Sequence, residues 1–248
     1  MSIEKFAENM QKDENLGNHD KMVLHAAEIF LGYDFDELAK KMDLKIDDEY
    51  LYIDMLTRHY RISRKDAVVT WYGSPKETTT ALYGDEDLKE RDDFSKVSDV
   101  KTWNKAGFNE AMTIYDLIAF SKPGAKASLE YTQIHNLADT VTGSYYAGKG
   151  IVSEYAQMFE GKEKELSKGC ELLGGEPYGR GDVSYRVPFF RDLAFVISYW
   201  APDDEFPPQV ILMTDMNMKD FLHYETIWYL QGHIMNMIRL KSGMRRIS

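Results

Sequence analysis

The sequence contains few of the residues and segments that mark several common protein classes. A single cysteine, Cys170, cannot form an intramolecular disulfide and cannot by itself hold an iron–sulfur cluster or a structural zinc ion. No apolar run approaches the roughly 20 residues that a membrane span needs, and residues 1–15 lack the apolar core of a signal peptide. We therefore expect a cytoplasmic protein without a membrane partner.

Basic residues are scarce relative to acidic ones. The chain carries 30 lysines and arginines against 41 aspartates and glutamates, which gives a formal net charge of −11. Because an acidic surface repels phosphate backbones, this balance argues against nucleic acid as a partner. Hydrophobic residues make up 44% of the chain, which is enough to build a substantial core and is unlike the composition of a disordered chain.

Recognisable catalytic and metal-binding motifs are absent as well. The sequence has no Gly-x-Ser-x-Gly elbow, no His-Glu-x-x-His and no EF-hand spacing of acidic residues. The stretch LLGGEPYGRGDVSYRV follows a predicted helix and precedes a predicted strand, whereas a phosphate loop follows a strand and precedes a helix. We interpret it as a connector whose glycines adopt positive φ. The sequence predicts no metal site and identifies neither a cofactor nor catalytic residues.

Hydrophobic periodicity predicts helices and then strands in the first half of the chain. Residues 1–42 are predicted to be helical, with Asp34 capping the segment FDELAKKM. Segments rich in tyrosine and β-branched residues predict two or three antiparallel strands between about residues 49 and 73. The polar stretch 74–108 is a candidate excursion or internal boundary in a chain, 1–248, that we otherwise predict to be a single domain.

Strand signals are clearer in the second half. After a predicted helix, FNEAMTIYDLIAFS, and more helix expected around 134–173, VSYRVPFF and LAFVISYW predict strands joined by a tight turn at Arg191-Asp192. QVILMTD predicts a third strand, and a helix over about 224–240 follows. This order predicts an α+β fold whose antiparallel sheet, a C-terminal three-strand meander plus the N-terminal strands, is covered by helices. The methionine-rich last helix is also a candidate homodimer face.

Four motifs in the last third of the chain match those of a known family. They are Gly174-Gly175, Gly181-Asp182-Val183, the turn Asp203-Asp204-Glu205-Phe206-Pro207 and Met213-Thr214-Asp215. On these motifs the chain resembles, over about residues 110–240, an uncharacterised bacterial domain of unknown function that is common in anaerobes. Members of that family usually have phenylalanine where this chain has Thr214.

The resemblance implies a metabolic context and no particular chemistry. Some members of the family look fused to a cysteine-rich iron–sulfur module like that of corrinoid proteins in one-carbon metabolism. The resemblance therefore implies a link to anaerobic one-carbon or corrinoid metabolism. This chain lacks the cysteines of such a module, so a redox or cofactor role has no residues here to support it.

The candidate ligand-binding residues lie at the beginnings and ends of the predicted C-terminal strands: Asp182, Tyr185, Arg186 and Asp215. Asp215 ends a strand face that is otherwise apolar, and a buried carboxylate there needs partners such as backbone amides, an arginine or a metal. The alternative is that Asp215 caps the helical turn MNMKDF that follows it. In the turn before that strand we expect the acids to be solvated and Phe206 to pack onto the core.

The leading functional hypothesis is a non-catalytic binding or accessory module whose partner, a protein or a small molecule, is unidentified. It depends on the absence of a recognisable catalytic constellation and on the family resemblance. The alternative is a small-ligand-binding protein or an enzyme with a cleft at the strand ends of the sheet.

Overall fold

The computed structural model describes residues 17–79, 98–137 and 154–244. Within these ranges the strands form a four-stranded and a five-stranded antiparallel sheet, which we call sheet 1 and sheet 2. The predicted α+β class, with antiparallel strands covered by helices, is confirmed. The sequence analysis did not separate the strands into two sheets.

The described part of the chain begins with two short helices, α1 (Asn18–Phe30) and α2 (Phe35–Met42). Asp34 caps α2, since one of its carboxylate oxygens accepts the backbone N–H groups of Asp36 and Glu37 at 2.9 and 3.1 Å. The predicted helix and its cap are confirmed. Residues 1–16 of the predicted helical segment lie outside the described residues.

Sheet 1 is a meander of the strands β1 (Tyr50–Met55), β2 (Arg58–Ser63), β3 (Val69–Gly73) and β4 (Thr102–Lys105) in that order. Along β1 the residues Leu51, Ile53 and Met55 are buried, and the residues between them are half-buried or exposed. This alternation gives the sheet an apolar inner face and a polar and aromatic outer face. The prediction of three strands within 49–73 is confirmed.

The polar stretch 74–108 returns to sheet 1, because β4 pairs with β3. Residues 80–97 lie outside the described residues. The internal boundary suggested for this stretch stays a prediction.

Three further helices follow: α3 (Phe108–Phe120), α4 (Glu163–Leu172) and α5 (Tyr224–Ser242). Of the helical region expected around 134–173, residues 154–159 are also helical and residues 138–153 lie outside the described residues. Helices α4 and α5 approach closely at Gly169, where a Cβ atom would lie 2.5 Å from the carbonyl oxygen of Ile238. A larger residue at this position would force the two helices apart.

Sheet 2 contains, in chain order, β5 (Tyr131–Gln133), β6 (Glu176–Pro177), β7 (Val183–Phe190), β8 (Leu193–Trp200) and β9 (Gln209–Asp215). Their spatial order is β5-β9-β8-β7-β6, and every pairing is antiparallel. The predicted meander of β7, β8 and β9 is confirmed, including the tight turn, where Arg191 has φ 50°. Gly174 and Gly181, at φ 76° and 139°, confirm that the glycine-rich connector uses positive φ.

Helix α5 covers the inner face of sheet 2. Val187, Phe195 and Leu212 from three adjacent strands meet Ile234 and Ile238 around a gap of only about 10 Å³. The methionines of this helix at 235 and 237 are buried in the same core. A homodimer through α5 stays a prediction. No helix in the described ranges is long and apolar enough to cross a bilayer.

The turn between β7 and β8 joins the two sheets. The backbone N–H of Leu56 donates to the carbonyl of Phe189 at 3.0 Å, and the Arg191 guanidinium donates to the carbonyl of Met42. The turn therefore lies beside the edge of sheet 1. The acidic turn before β9 differs from expectation, because Phe206 is 58% exposed and does not pack onto the core. Its backbone N–H instead closes a local turn on the Asp203 carboxylate at 2.7 Å.

Candidate functional site

A groove of about 690 Å³ lies on the outer face of sheet 1. Strands β1 to β4 form its floor, and residues 43–45, between α2 and β1, form one wall. Phe190, the last residue of β7, and Arg191 of the β7–β8 turn form another. The volume falls within the range of roughly 300–1,000 Å³ that small-molecule sites occupy.

Aromatic side chains dominate the groove because β-strands place alternate residues on one face. Tyr72 of β3 and Trp103 of β4 are directly paired across the strands, and their ring centroids lie 5.5 Å apart. Tyr52 of β1 and Phe190 of β7 add two further rings to the lining. Tyr72 is 44% exposed, so this pair presents apolar surface to solvent that a ligand can cover.

Two hydrogen-bonded pairs lie at the groove, whose lining also includes the charged residues Asp43, Lys45 and Arg191. His59 Nδ1 lies 2.7 Å from Asp54 Oδ1 across β1 and β2, and both side chains are mostly exposed. At the wall, the Tyr52 hydroxyl donates to Asp47 Oδ2 at 2.7 Å. That hydrogen bond is the largest cause of a lowered pKa at Asp47 and of a raised pKa at Tyr52.

A buried polar network lies directly beneath the groove. The Arg58 guanidinium donates to Glu110 Oε1 and to the carbonyl of Glu77. Glu110 also accepts the Tyr60 hydroxyl at 2.9 Å and the backbone N–H of Gly107 at 2.8 Å. Tyr60 belongs to both features, since it also lines the groove. The network therefore connects β2 and the loop after β3 to α3.

His233 of α5 completes this network in its neutral form. Burial is the largest effect on its imidazole and lowers its pKa to about 4. Since the Tyr60 hydroxyl donates to Glu110, its oxygen is the acceptor for His233 Nε2 at 3.3 Å, which places the imidazole proton on Nε2. At neutral pH the counter-ion of Glu110 is thus Arg58.

The charge on Glu110 is retained despite its burial. Burial by itself would raise the pKa of this carboxyl. It is outweighed by His233, where acid protonates that imidazole, by Arg58 and by the hydrogen bonds that the carboxylate accepts, so the pKa is lowered. Arg58, Glu110 and His233 are all 5% exposed or less, so no ligand reaches them in this conformation. The network positions the groove and does not itself touch a ligand.

The structure places the predicted site residue Asp215 in a structural role. Its buried carboxylate accepts the backbone N–H and the hydroxyl of Ser128, the N–H of Leu129 and the N–H of Asn217, all within 3.0 Å. The expectation that it needs backbone amide partners is confirmed. It is not the N-cap of the short 3₁₀ helix that follows, because Asn217 occupies that position.

The other three predicted residues do not converge on one pocket. Tyr185 points to the inner face of sheet 2, where its hydroxyl donates to Glu171 at 2.7 Å. Arg186, on the outer face, donates to the Tyr131 hydroxyl at 2.6 Å and does not meet Asp215. Asp182, which directly precedes β7, accepts the backbone N–H of Ala201 at 2.7 Å. A ligand-binding role for these residues stays a prediction.

The sequence analysis missed every residue of the groove. A usable signal was present in YLYIDM, where large apolar residues alternate with Tyr50, Tyr52 and Asp54. Such alternation predicts one buried face and one aromatic solvent-facing face. The contributions of Trp103 and Phe190 carry no comparable local signal, because both reach the groove through long-range packing.

Comparison with known proteins places the chain in a family. Residues 91–237, more than half of the chain, match the model of a family described as Domain of unknown function (DUF3786). The chain belongs to this family. The DUF3786 match confirms the resemblance to a domain of unknown function, whereas the bacterial and anaerobic setting and the fusion stay predictions. No curated protein and no solved structure shows a significant match.

The DUF3786 match covers only part of the candidate site. Trp103, Glu110 and Phe190 lie inside the matched range, whereas Arg58 and Tyr60 precede it together with strands β1 to β3. The buried network thus connects the matched region to strands that precede it.

Acid should destabilise the folded chain through His233. Its folded pKa of about 4 lies below the ordinary value of 6.5, so the unfolded chain binds a proton that the folded chain excludes between these pH values. The free energy of unfolding therefore falls as the pH drops from 6.5 toward 4, by about 3 kcal/mol at roughly 1.4 kcal/mol per pKa unit. Urea unfolding of wild type and His233→Gln at pH 7, 6 and 5 measures the slope.

We expect a flatter pH dependence in His233→Gln, because glutamine does not titrate and still offers an N–H to Tyr60. Equal slopes for wild type and His233→Gln would contradict the assignment of a buried neutral imidazole.

Asp215→Asn should destabilise the chain by about 2 kcal/mol, because an amide N–H₂ replaces an oxygen that accepts buried N–H groups. Asp182→Asn is the control, since the exposed Asp182 accepts a single described backbone hydrogen bond. Thermal unfolding of both variants measures the difference. An Asp215→Asn variant as stable as Asp182→Asn would rule out the structural role.

Proposed function

We propose that this chain is a non-catalytic binding module that holds a small planar ligand in the groove on the outer face of sheet 1. The observation that carries the proposal is the pair of the exposed Tyr72 ring and the half-buried Trp103 ring on the floor of a groove of about 690 Å³. Offset or edge-to-face stacking on such rings favours planar ligands, and covering their apolar surface supplies the driving force.

The groove is also preformed, which supports binding. Its floor is fixed from below by the buried Arg58–Glu110 pair, and its wall is fixed by the hydrogen bond from Leu56 to Phe189. A preformed site loses less conformational entropy when it binds a ligand.

The chemistry of the lining supports a non-catalytic role. None of the described residues that line the groove is a serine, threonine or cysteine, so the groove offers no hydroxyl nucleophile from serine or threonine and no thiol nucleophile. Cys170 lies in the core, where burial raises the pKa of its thiol to about 12. It is therefore an unreactive core residue.

A second candidate function, proton-transfer catalysis, is favoured by one observation. The Asp54 carboxylate engages His59 Nδ1, an arrangement that orients Nε2 toward a substrate proton in many enzymes. The side chains are 77% and 73% exposed, respectively, so water competes at both groups. We therefore favour binding. The link to corrinoid metabolism stays a prediction in either case, and so does a partner of either kind, a protein or a small molecule.

Fluorine NMR of protein labelled with 5-fluorotryptophan tests the proposal. The chain has four tryptophans, and single Trp→Phe variants assign their resonances. Titration with indole, a neutral planar probe, should shift the Trp103 resonance and leave Trp228 of α5 unchanged. Tyr72→Ala should weaken the response at least about threefold, because stacking against one aromatic ring contributes roughly 0.5–1.5 kcal/mol.

Three outcomes separate the alternatives. No response at Trp103 from millimolar indole would contradict the groove. A response abolished by Arg186→Gln and retained in Tyr72→Ala would place binding at the strand-end residues instead. For the enzymatic alternative, a candidate substrate consumed by wild type and recovered unchanged with His59→Gln would overturn the non-catalytic assignment.

A further inference from the structure

We propose that the groove's ligand carries an oxyanion, a carboxylate or a phosphate, and that Arg61 binds it. This inference deepens the proposed function and rests on it. Arg61 lies in the middle of β2 on the outer face of sheet 1, in register with Tyr52 on one side and Thr70 on the other. It therefore borders the groove that Tyr52 lines.

The guanidinium of Arg61 lies over two aromatic rings. Its Cζ atom is 4.0 Å from the ring centroid of Tyr50 and 4.0 Å from that of Trp103. Stacking of this kind fixes the plane of the guanidinium. The N–H groups, which point outward within that plane, stay available to donate hydrogen bonds. The same Trp103 ring pairs with Tyr72 on the groove floor, so the cation and the planar site share a side chain.

The hydrogen-bonding capacity of Arg61 is largely unused. Its Nε donates to Thr70 Oγ1 at 3.2 Å, whereas its two terminal nitrogens donate to no acceptor among the described residues. Arg58 and Arg64, the other arginines of sheet 1 and its β2–β3 turn, both pair with carboxylates. An arginine fork that is held in place and unpaired matches the geometry of a carboxylate or a phosphate.

Neighbouring charges favour an anion at this place. Lys105 occupies the same cross-strand row through Thr70, and Lys45 Nζ lies 5.2 Å from the Tyr52 ring. Of the acids beside the groove, Asp47 accepts the Tyr52 hydroxyl and Asp54 pairs with His59. A third, Asp43, lies in a lining that also contains Lys45 and Arg191. The chain as a whole has a net charge of −11, whereas Arg61, Lys105 and Lys45 place positive charge together in this region.

Matched probes test the inference on the labelled full-length chain. Indole-3-acetate and indole-3-acetamide differ in charge at nearly equal size, and phenyl phosphate distinguishes a phosphate from a carboxylate. Titrations followed at the Trp103 fluorine resonance should show the acetate binding at least about tenfold more tightly than the amide, as expected for a charge-assisted bidentate contact. Phenyl phosphate binding more tightly than phenylacetate, which has the same ring, would identify a phosphate as the anion, and the reverse order a carboxylate.

Variants then assign the preference to Arg61. Arg61→Gln should remove the preference for the acetate and leave the affinity for the amide within about twofold. Arg61→Lys keeps the charge but loses the planar guanidinium fork, and it should retain part of the preference for the acetate. Arg64→Gln is the control, because its guanidinium is already paired with Asp36, and it should keep the full preference. Dispersed resonances of Trp71 and Trp200 confirm that each variant is folded.

The results distinguish this inference from the proposed function. Equal affinities for acetate and amide in wild type, with a clear Trp103 response, would overturn the anion site and leave the groove as a neutral binding site. A preference that survives in Arg61→Gln would overturn the role of Arg61. The absence of any Trp103 response to all four probes would overturn the proposed function as well.

Discussion

The buried ion pair of Arg58 and Glu110 is the interaction on which the rest of the structure depends. Removing two charges from water costs several kcal/mol per ion, and the cost is offset here because Glu110 also accepts hydrogen bonds from Tyr60 and Gly107. Losing one partner of such a pair typically costs about 3–5 kcal/mol, because the other charge stays buried and uncompensated. The pair therefore determines where sheet 1 lies against α3 and, through His233, against α5.

The groove follows from this arrangement and from strand alternation. Because the inner face of sheet 1 is used to bury Leu51, Ile53 and Trp71, the alternate positions must face outward. Most surface positions in a protein are polar, yet here the exposed Tyr72 lies beside the half-buried Trp103 on the outer face. The end of β7 and the β7–β8 turn then form a wall through Phe190 and Arg191, so sheet 2 also contributes to the groove.

Much of the fold was predictable because its determinants are local. Hydrophobic periodicity predicted the strands and helices. The cap at Asp34 was predictable because its carboxylate binds backbone N–H groups within three residues. The division into two sheets was not predictable, since it depends on which strands pair across the whole chain. The failed expectation for Phe206 has the same origin, because whether the turn reaches a core is decided by distant packing. The candidate site was harder still to predict from the sequence, because Arg58, Glu110 and His233 are distant in the chain and meet only after folding.

Hydrogen exchange in a Glu110→Gln variant tests the central claim most directly. Glutamine preserves the shape of the side chain but leaves Arg58 buried beside a neutral partner. If the ion pair holds sheet 1 against the helices, the backbone amides of β1 to β3 will lose protection at least about tenfold, and those of β7 to β9 will keep wild-type protection. Unchanged protection in β1 to β3, or an equal loss in both sheets, would contradict the claim.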